Sequence, residues 1–113
     1  MQEIALPMPK PSAQVQPFVD AIGVELTVSF LLAYGGAELY LADDPKGRSS
    51  HEIMLGYDAA KALAASAHLL PRRVPLANVW LARMLKWQGH SHSSIARKLR
   101  KSDVSVRRWL QHG

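Results

Sequence analysis

The most concentrated chemistry in the sequence is a group of cationic side chains near its end. Six of them fall within twelve residues: Arg97, Lys98, Arg100, Lys101, Arg107 and Arg108. Guanidinium and ammonium groups bind phosphate oxygens, and a guanidinium can also donate two parallel hydrogen bonds to guanine. This spacing indicates a surface that binds a polyanion, and it favours a nucleic acid because the same groups can distinguish bases.

The charge distribution divides the chain into two parts. The 113 residues have a formal net charge of +5, with 48% hydrophobic and 20% charged residues, which is a globular balance. Residues 1–70 hold four Lys or Arg against eight Asp or Glu, whereas residues 71–113 hold ten against one and all three tryptophans. We therefore expect an acidic module followed by a basic, polyanion-binding one. The alternative is a basic face that is merely solvated.

Cysteine usage and hydropathy narrow the class of protein. The chain has no cysteine, which excludes a disulfide scaffold, a thiolate zinc site and a cysteine nucleophile, and fits a cytoplasmic location. We expect no secretory leader, because the first residues lack a basic stretch followed by an apolar core. The most apolar run, residues 21–42, is interrupted by Glu25, Glu38 and Gly35-Gly36, so we expect no membrane span.

Residues typical of catalytic or metal sites have simpler explanations here. Asp43 and Asp44 precede Pro45, and turn chemistry accounts for that pair. His90 and His92 lack an evident third ligand, so we expect no metal site. No glycine-rich phosphate loop or nucleophile motif is present. We therefore expect neither an enzyme nor a bound cofactor.

The first module begins with a long apolar segment. Residues 18–34 predict one helix that is apolar around most of its circumference. Large side chains recur in it at every fourth position: Phe18, Ile22, Leu26 and Phe30. A chain of this size has little protein with which to bury such a helix, so we infer that a second copy covers it. A core helix of a single chain is the alternative.

A short strand is predicted directly after this helix. Gly35-Gly36 ends the helix, and residues 38–41 alternate between two groups of breakers. A lone strand leaves its backbone groups unpaired, and the simplest partner is the same strand of a second copy across a two-fold axis. We therefore predict a homodimer with an inter-subunit antiparallel β-ribbon. Its interface would comprise Phe18, Ile22, Leu26, Phe30, Leu39, Tyr40 and Leu41.

A second helix and a proline-flanked break follow. Ser49 or Ser50 can cap a helix that has Glu52 in its first turn and runs to about His68. We discern no internal repeat in the residue pattern. The predicted segments are a flexible proline-rich arm over 1–17, a dimerisation module over 18–70, a hinge over 71–75 and a DNA-binding module over 76–113.

The basic end predicts three short helices. The first begins near Pro75 and ends at Gly89. Its inner side would hold Leu76, Val79, Trp80, Met84 and Trp87. Ser91 and Ser102 are expected to cap the second and third helices. Inward side chains on those two helices would be Ile95, Ala96, Leu99, Val106, Trp109 and Leu110.

Two short helices joined by a tight turn, with a third as support, form a helix-turn-helix. The turn position usually occupied by glycine is Arg100, followed by Lys101. A left-handed backbone at a non-glycine residue costs roughly 1 kcal/mol. We therefore expect a turn that is distorted or one residue longer than usual.

Two stretches together resemble a known family. Residues 18–41, including the segments Ile22-Gly23-Val24-Glu25 and Tyr34-Gly35-Gly36, and residues 75–110 are similar to the Mor transcription activator family of phages. The resemblance covers about residues 18–111. It implies an intertwined dimer whose C-terminal helix-turn-helix binds double-stranded DNA, and a regulator encoded by a phage or prophage. RNA polymerase is a further candidate partner.

In a helix-turn-helix the second helix enters the major groove with its N-terminal part facing the bases. We expect base contacts from Asp103, Val104, Ser105, Arg107 and Arg108. Contacts to the DNA backbone are expected from Arg72, Arg73, Ser91, Ser93, Arg97, Lys98, Arg100, Lys101 and Ser102. Asp103 could accept from a cytosine amine, Val104 could contact a thymine methyl, and Arg108 is our best candidate for guanine.

The sequence therefore predicts a mostly α-helical, dimeric transcription regulator that reads an inverted repeat of DNA. One alternative is the DNA-recognition subunit of a phage packaging or transposition machine, which would act only with a partner protein. Another is an antirepressor whose basic end binds an acidic protein. A preferred DNA sequence and the salt dependence of binding distinguish these three functions.

Overall fold

The computed structural model describes residues 7–42, 44–47 and 49–111. These residues contain seven α-helices and a short 3₁₀ helix, Ala67–Leu69. The α-helices are α1 (Gln16–Ile22), α2 (Val24–Tyr34), α3 (Ser50–Leu55), α4 (Tyr57–Ala65), α5 (Asn78–Trp87), α6 (His92–Leu99) and α7 (Asp103–Gln111). The first six residues of the predicted arm lie outside the described ranges.

The chain divides into two compact units. The four-helix unit comprises residues 11–77 and contains α1 to α4. The basic unit comprises α5 to α7 together with the described residues 7–10. No helix among the described residues combines the length and the apolar character that crossing a bilayer requires.

The first apolar segment forms two helices rather than one, because the chain bends at Gly23. This glycine has φ 85° and ψ 162°, a conformation that side-chain-bearing residues rarely adopt. The bend lets α1 pack against α2, and Phe18 and Phe30 are both fully buried with their ring centroids 6.2 Å apart. The prediction of a single helix over residues 18–34 is therefore wrong, and the chain itself buries Phe18 and Phe30.

A second bend of the same kind separates α3 from α4. Gly56 has φ 82° and ψ 165°, and it lies 33 residues after Gly23. At both bends the glycine N–H donates to the carbonyl four residues earlier, and the glycine carbonyl accepts from the amide four residues later. Buried positions correspond at the same offset: Phe18 with His51, Thr27 with Ala60, and Phe30 with Leu63.

The four-helix unit thus contains an internal helix–glycine–helix repeat, contrary to our prediction from the residue pattern. The repeat was missed because the corresponding buried residues differ in type, as the pair Phe18 and His51 illustrates. The predicted continuous helix to about His68 is likewise interrupted at Gly56. Its predicted start is confirmed, since Ser49 and Glu52 form a reciprocal capping box.

Residues 38–41 do not form the predicted strand. The described residues contain one isolated antiparallel bridge, between Glu38 and Arg73, and no sheet. Three backbone hydrogen bonds accompany it: Gly36 N–H to Val74 O at 2.7 Å, Val74 N–H to Ala37 O at 2.8 Å, and Leu39 N–H to Arg72 O at 2.9 Å. The prediction of a helix–strand–helix module with an inter-subunit β-ribbon is therefore wrong.

The pairing partner lies in the same chain, within residues 71–75, which we predicted to be a hinge. Only a few residues pair there between Pro71 and Pro75, which is too short a stretch to produce a recognisable alternation. Within residues 38–41 of the described chain, this pairing satisfies the backbone N–H of Leu39.

The residues of the predicted dimer interface have other surroundings. Phe18 and Phe30 lie in the core of the four-helix unit, where α1 packs on α2 and α4. Tyr40 is 74% exposed. The other four are partly buried: Ile22, Leu26, Leu39 and Leu41. The structure therefore gives no support to the predicted homodimer.

In the basic unit, α5, α6 and α7 all pack against one another. Its core holds Trp80, Leu81, Met84, Leu85, Ile95 and Val106. Gly89 ends α5 as predicted: the Gly89 N–H donates to the carbonyl of Lys86 and the His90 N–H to that of Leu85, both at 3.0 Å. These contacts support α6 and α7.

The predicted start and inner face of α5 are partly wrong. The helix begins at Asn78, and the preceding Ala77 has φ 49°, which is outside the helical region. Leu76 precedes the helix and is exposed, and Val79 and Trp87 are exposed as well. Leu81 and Leu85 accompany Trp80 and Met84 on the buried face instead.

Candidate nucleic-acid interface

The turn between α6 and α7 is built on Arg100, which has φ 56° and ψ 45°. Its N–H donates to the carbonyl of Arg97 at 3.3 Å, and the N–H of Lys101 donates to the carbonyl of Ala96 at 3.0 Å. This pair of bonds is the Schellman motif that usually has glycine at the left-handed position. The turn is thus the usual tight one, and the predicted distortion or extra residue is absent from this described segment.

Serine side chains begin both helices of the candidate interface, as the sequence predicted. The Ser91 hydroxyl oxygen accepts from the Ser94 N–H at 3.1 Å, and the Ser102 hydroxyl oxygen accepts from the Ser105 N–H at 3.2 Å. Each bond satisfies one of the amides that a helix leaves unpaired at its first turn. Ser91, Ser93 and Ser102 are all exposed.

One side of α7 is exposed along its whole length. Asp103, Arg107 and Gln111 follow one another at intervals of four residues, and Val104 and Arg108 lie beside them at the same interval. Val104 is an aliphatic side chain that is 64% exposed. We call these five residues the α7 face. Four of the five predicted base-reading residues belong to it.

The opposite side of α7 packs into the basic unit. Val106 is fully buried there, and Trp109 and Leu110 are partly buried. Ser105 also lies toward this side, is partly buried, and accepts a hydrogen bond from the Ser102 hydroxyl at 3.2 Å. The structure therefore gives Ser105 an intramolecular role and leaves it outside the α7 face.

Gln111 belongs to the α7 face but was not among the predicted contacts. A glutamine amide can donate to and accept from the N6 and N7 groups of adenine, so its chemistry suits base recognition. The four-residue interval from Asp103 through Arg107 was a sufficient sequence signal. We missed Gln111 because we considered only the N-terminal part of the third helix of the basic end.

The cations of this region are available to a ligand. Six are exposed, and none of them makes a salt bridge within the described part of the chain: Arg97, Lys98, Arg100, Lys101, Arg107 and Arg108. The carboxylate of Asp103 is likewise exposed and has neither a hydrogen bond nor an ion pair there. The arrangement combines donors for phosphate with donors and an acceptor for bases.

Two of the residues that we predicted to contact the DNA backbone belong to the four-helix unit. Arg72 and Arg73 are exposed residues of the four-helix unit. The Arg73 side chain donates from Nη1 to the carbonyl of Gly36 at 3.3 Å, and its backbone forms the bridge with Glu38. Arg73 thus has a structural role, and the structure does not place this pair in one unit with the other predicted contacts.

Neither metal-binding residues nor comparisons with known proteins add a functional assignment. The described residues contain no group of three or more His, Cys, Asp or Glu side chains that could hold a metal ion. No family model, no curated protein and no solved structure matches the chain significantly. The similarity to the Mor family therefore rests on the sequence motifs alone.

Proposed function

We propose that the chain binds double-stranded DNA through its basic unit, with the α7 face in the major groove. The observation that carries this proposal is the α6–turn–α7 arrangement, in which the face opposite Val106 is exposed and free of ion pairs. Helix-turn-helix proteins contact bases in this way, through polar side chains of a second helix that follows a tight turn.

Phosphate contacts would supply most of the affinity. Arg97 and Lys98 lie in the last turn of α6, and Arg100 and Lys101 follow directly in the turn to α7. Residues 78–113 hold eight Lys or Arg and a single acid, and this positive net charge attracts a polyanion. These cations would position α7, and the α7 face would read the sequence.

We further propose a role in transcription regulation, on the basis of the resemblance to the Mor family. The proposal does not include the inter-subunit ribbon that this resemblance implied. One basic unit presents one α7 face and would read one half-site. The number of chains on each duplex is therefore a result to be measured together with the sequence preference.

Selection of bound duplexes from a random DNA library at moderate salt tests the proposal. We expect an enriched motif, and analytical ultracentrifugation of the complex will give the number of bound chains. Arg107→Ala combined with Arg108→Ala should abolish enrichment. The matched control is Lys46→Ala combined with Lys61→Ala, which removes the same charge from the four-helix unit and should retain enrichment.

The other outcomes distinguish the alternative functions. Binding without any enriched sequence would overturn sequence-specific recognition and favour a subunit of a packaging or transposition machine. Equal losses of affinity in the two double variants would show that binding follows net charge alone. Absence of binding even at low salt would overturn DNA binding and favour an antirepressor with an acidic protein partner.

A further inference from the structure

Asp103 is an exception on the most basic surface of the chain. It is the only acid in residues 78–113, and it lies in the first turn of α7 on the α7 face. Arg107 lies four residues further along the same face, at the usual spacing for a helical ion pair, yet the two make no salt bridge among the described residues. The carboxylate is therefore available to an external donor.

An acid in this position opposes binding to DNA in general. The proposed ligand presents phosphates, and a carboxylate near them is repelled unless it receives a hydrogen bond. Stabilisation of the helix dipole is the structural explanation for an acid at the first turn. However, the Ser102 hydroxyl already accepts from the Ser105 amide there, so the N-terminus of α7 is capped without Asp103.

We propose that Asp103 determines the sequence preference of the α7 face by excluding most base pairs. In the major groove, guanine and thymine present acceptors at their exocyclic oxygens, and adenine presents its N6 amine beside the acceptor N7, whereas cytosine presents the N4 amino group with no acceptor of its own. A carboxylate accepts from that amine and is repelled by the acceptors. The target class is thus duplex DNA with a cytosine opposite the first turn of α7. This inference rests on the proposed DNA binding.

Discrimination of this kind combines attraction with repulsion. The cations of the turn and of α6 attract any duplex, and Asp103 lowers that general affinity. A cytosine at the correct position restores the affinity through one hydrogen bond to a charged acceptor. The preference is therefore expected to appear mainly as weak binding to other sequences.

Variants of Asp103 test this inference on three duplexes: the selected site, the same site with its cytosine pair replaced by a thymine·adenine pair, and a random sequence. For the natural chain we expect roughly 5- to 150-fold weaker binding to the replaced site, the range of one good base contact. Asp103→Asn should bind the random duplex several-fold more tightly and should prefer adenine, which an amide can pair with through N6 and N7.

Asp103→Glu keeps the charge but moves the carboxylate by one methylene. It should keep the weak binding to random duplex and lose the preference for cytosine. Gln88→Glu is the matched control, because it adds a carboxylate to an exposed position of the basic unit outside the α7 face. It should weaken binding to all three duplexes by similar factors.

The results separate this inference from the proposed function. If the natural chain binds no duplex, the proposed DNA binding is wrong. If the chain binds a preferred sequence and Asp103→Asn leaves both the preference and the random-duplex affinity unchanged, only the role of Asp103 is wrong. A lower melting temperature of Asp103→Asn with unchanged preference would assign the residue to the helix dipole and equally overturn the inference.

Discussion

The indole N–H of Trp80 donates a hydrogen bond to the carbonyl oxygen of Pro9, at 3.2 Å and across 71 residues of sequence. Trp80 is 5% exposed, so this bond satisfies a donor that water barely reaches. Residues 7–10 are consequently part of the basic unit, together with α5. The proline-rich segment therefore contributes to the support on which α6 and α7 rest.

Trp80→Phe should lower the free energy of unfolding by about 1–3 kcal/mol, because it removes the bond and part of a buried ring. Chemical denaturation followed by circular dichroism measures this change. Trp87→Phe is the control, since the Trp87 ring is 44% exposed and should matter less. Equal losses in the two variants would contradict a structural role for the bond to Pro9.

Arg100→Gly should have opposite effects on stability and on DNA binding. Arg100 has φ 56°, and glycine would remove a conformational cost of roughly 1 kcal/mol, partly offset by the greater freedom of the unfolded chain. The melting temperature should therefore rise slightly, while affinity for any duplex falls with the lost cation. Arg100→Lys keeps the charge and should change neither quantity. A loss of more than about 1 kcal/mol, which exceeds the effect of the unfolded chain, would contradict a left-handed Arg100.

The two helix bends should respond alike to substitution. A Cβ at Gly23 or Gly56 would meet no atom within 4 Å, so Gly23→Ala and Gly56→Ala are costly only through the positive φ. Both glycines lie in a φ/ψ region that essentially only glycine adopts, so we expect each variant to reduce the free energy of unfolding by about 1–3 kcal/mol, measured by urea denaturation. A loss at one bend and none at the other would argue against an equivalent structural role in the repeat.

Gly35→Ala provides a comparison in which the expected loss of stability has a steric cause. Gly35 has φ −51°, which any residue tolerates, but its Cβ would lie 2.8 Å from the carbonyl oxygen of Leu31. That oxygen belongs to the backbone of α2 and can move little. The variant should therefore be destabilised without any backbone strain at the substituted position, and urea denaturation would show the loss.

Phe30→Ala tests whether the apolar helices are covered by their own chain. Phe30 is fully buried against Phe18, so we expect a loss of about 3–5 kcal/mol in the free energy of unfolding. The urea midpoint of the natural chain should be independent of protein concentration. A midpoint that rises with concentration would instead indicate stabilisation by a second copy. Tyr40→Ala, at an exposed position, should change the midpoint little.

The features that sequence reasoning predicted correctly are local ones. The caps at Ser49, Ser91 and Ser102 and the helix end at Gly89 each depend on a few neighbouring residues, so their residue types suffice. The helical spacing that separates the buried Val106 from the exposed residues of the α7 face is also a local property of the sequence. For this reason most of the α7 face could be predicted before the structure was known.

The errors concern contacts between distant parts of the chain. Apolar residues continue at helical spacing across Gly23, so periodicity does not mark the bend there. The pairing of Glu38 with Arg73 joins residues that share no pattern. Both errors led to the same inference, namely that a second copy must cover this segment, and the structure gives that inference no support.

Arg108→Ala and Lys98→Ala should separate base reading from phosphate binding. Arg108 lies on the α7 face, so its loss should cost about 1–3 kcal/mol on the selected site and relax the preference at one base pair. Lys98 lies in the last turn of α6, and its loss should weaken binding to all sequences alike and reduce the slope of log affinity against log salt by about 1. Fluorescence anisotropy at several salt concentrations measures both effects. If Arg108→Ala left the preferred sequence unchanged, α7 would not be the helix that reads the bases.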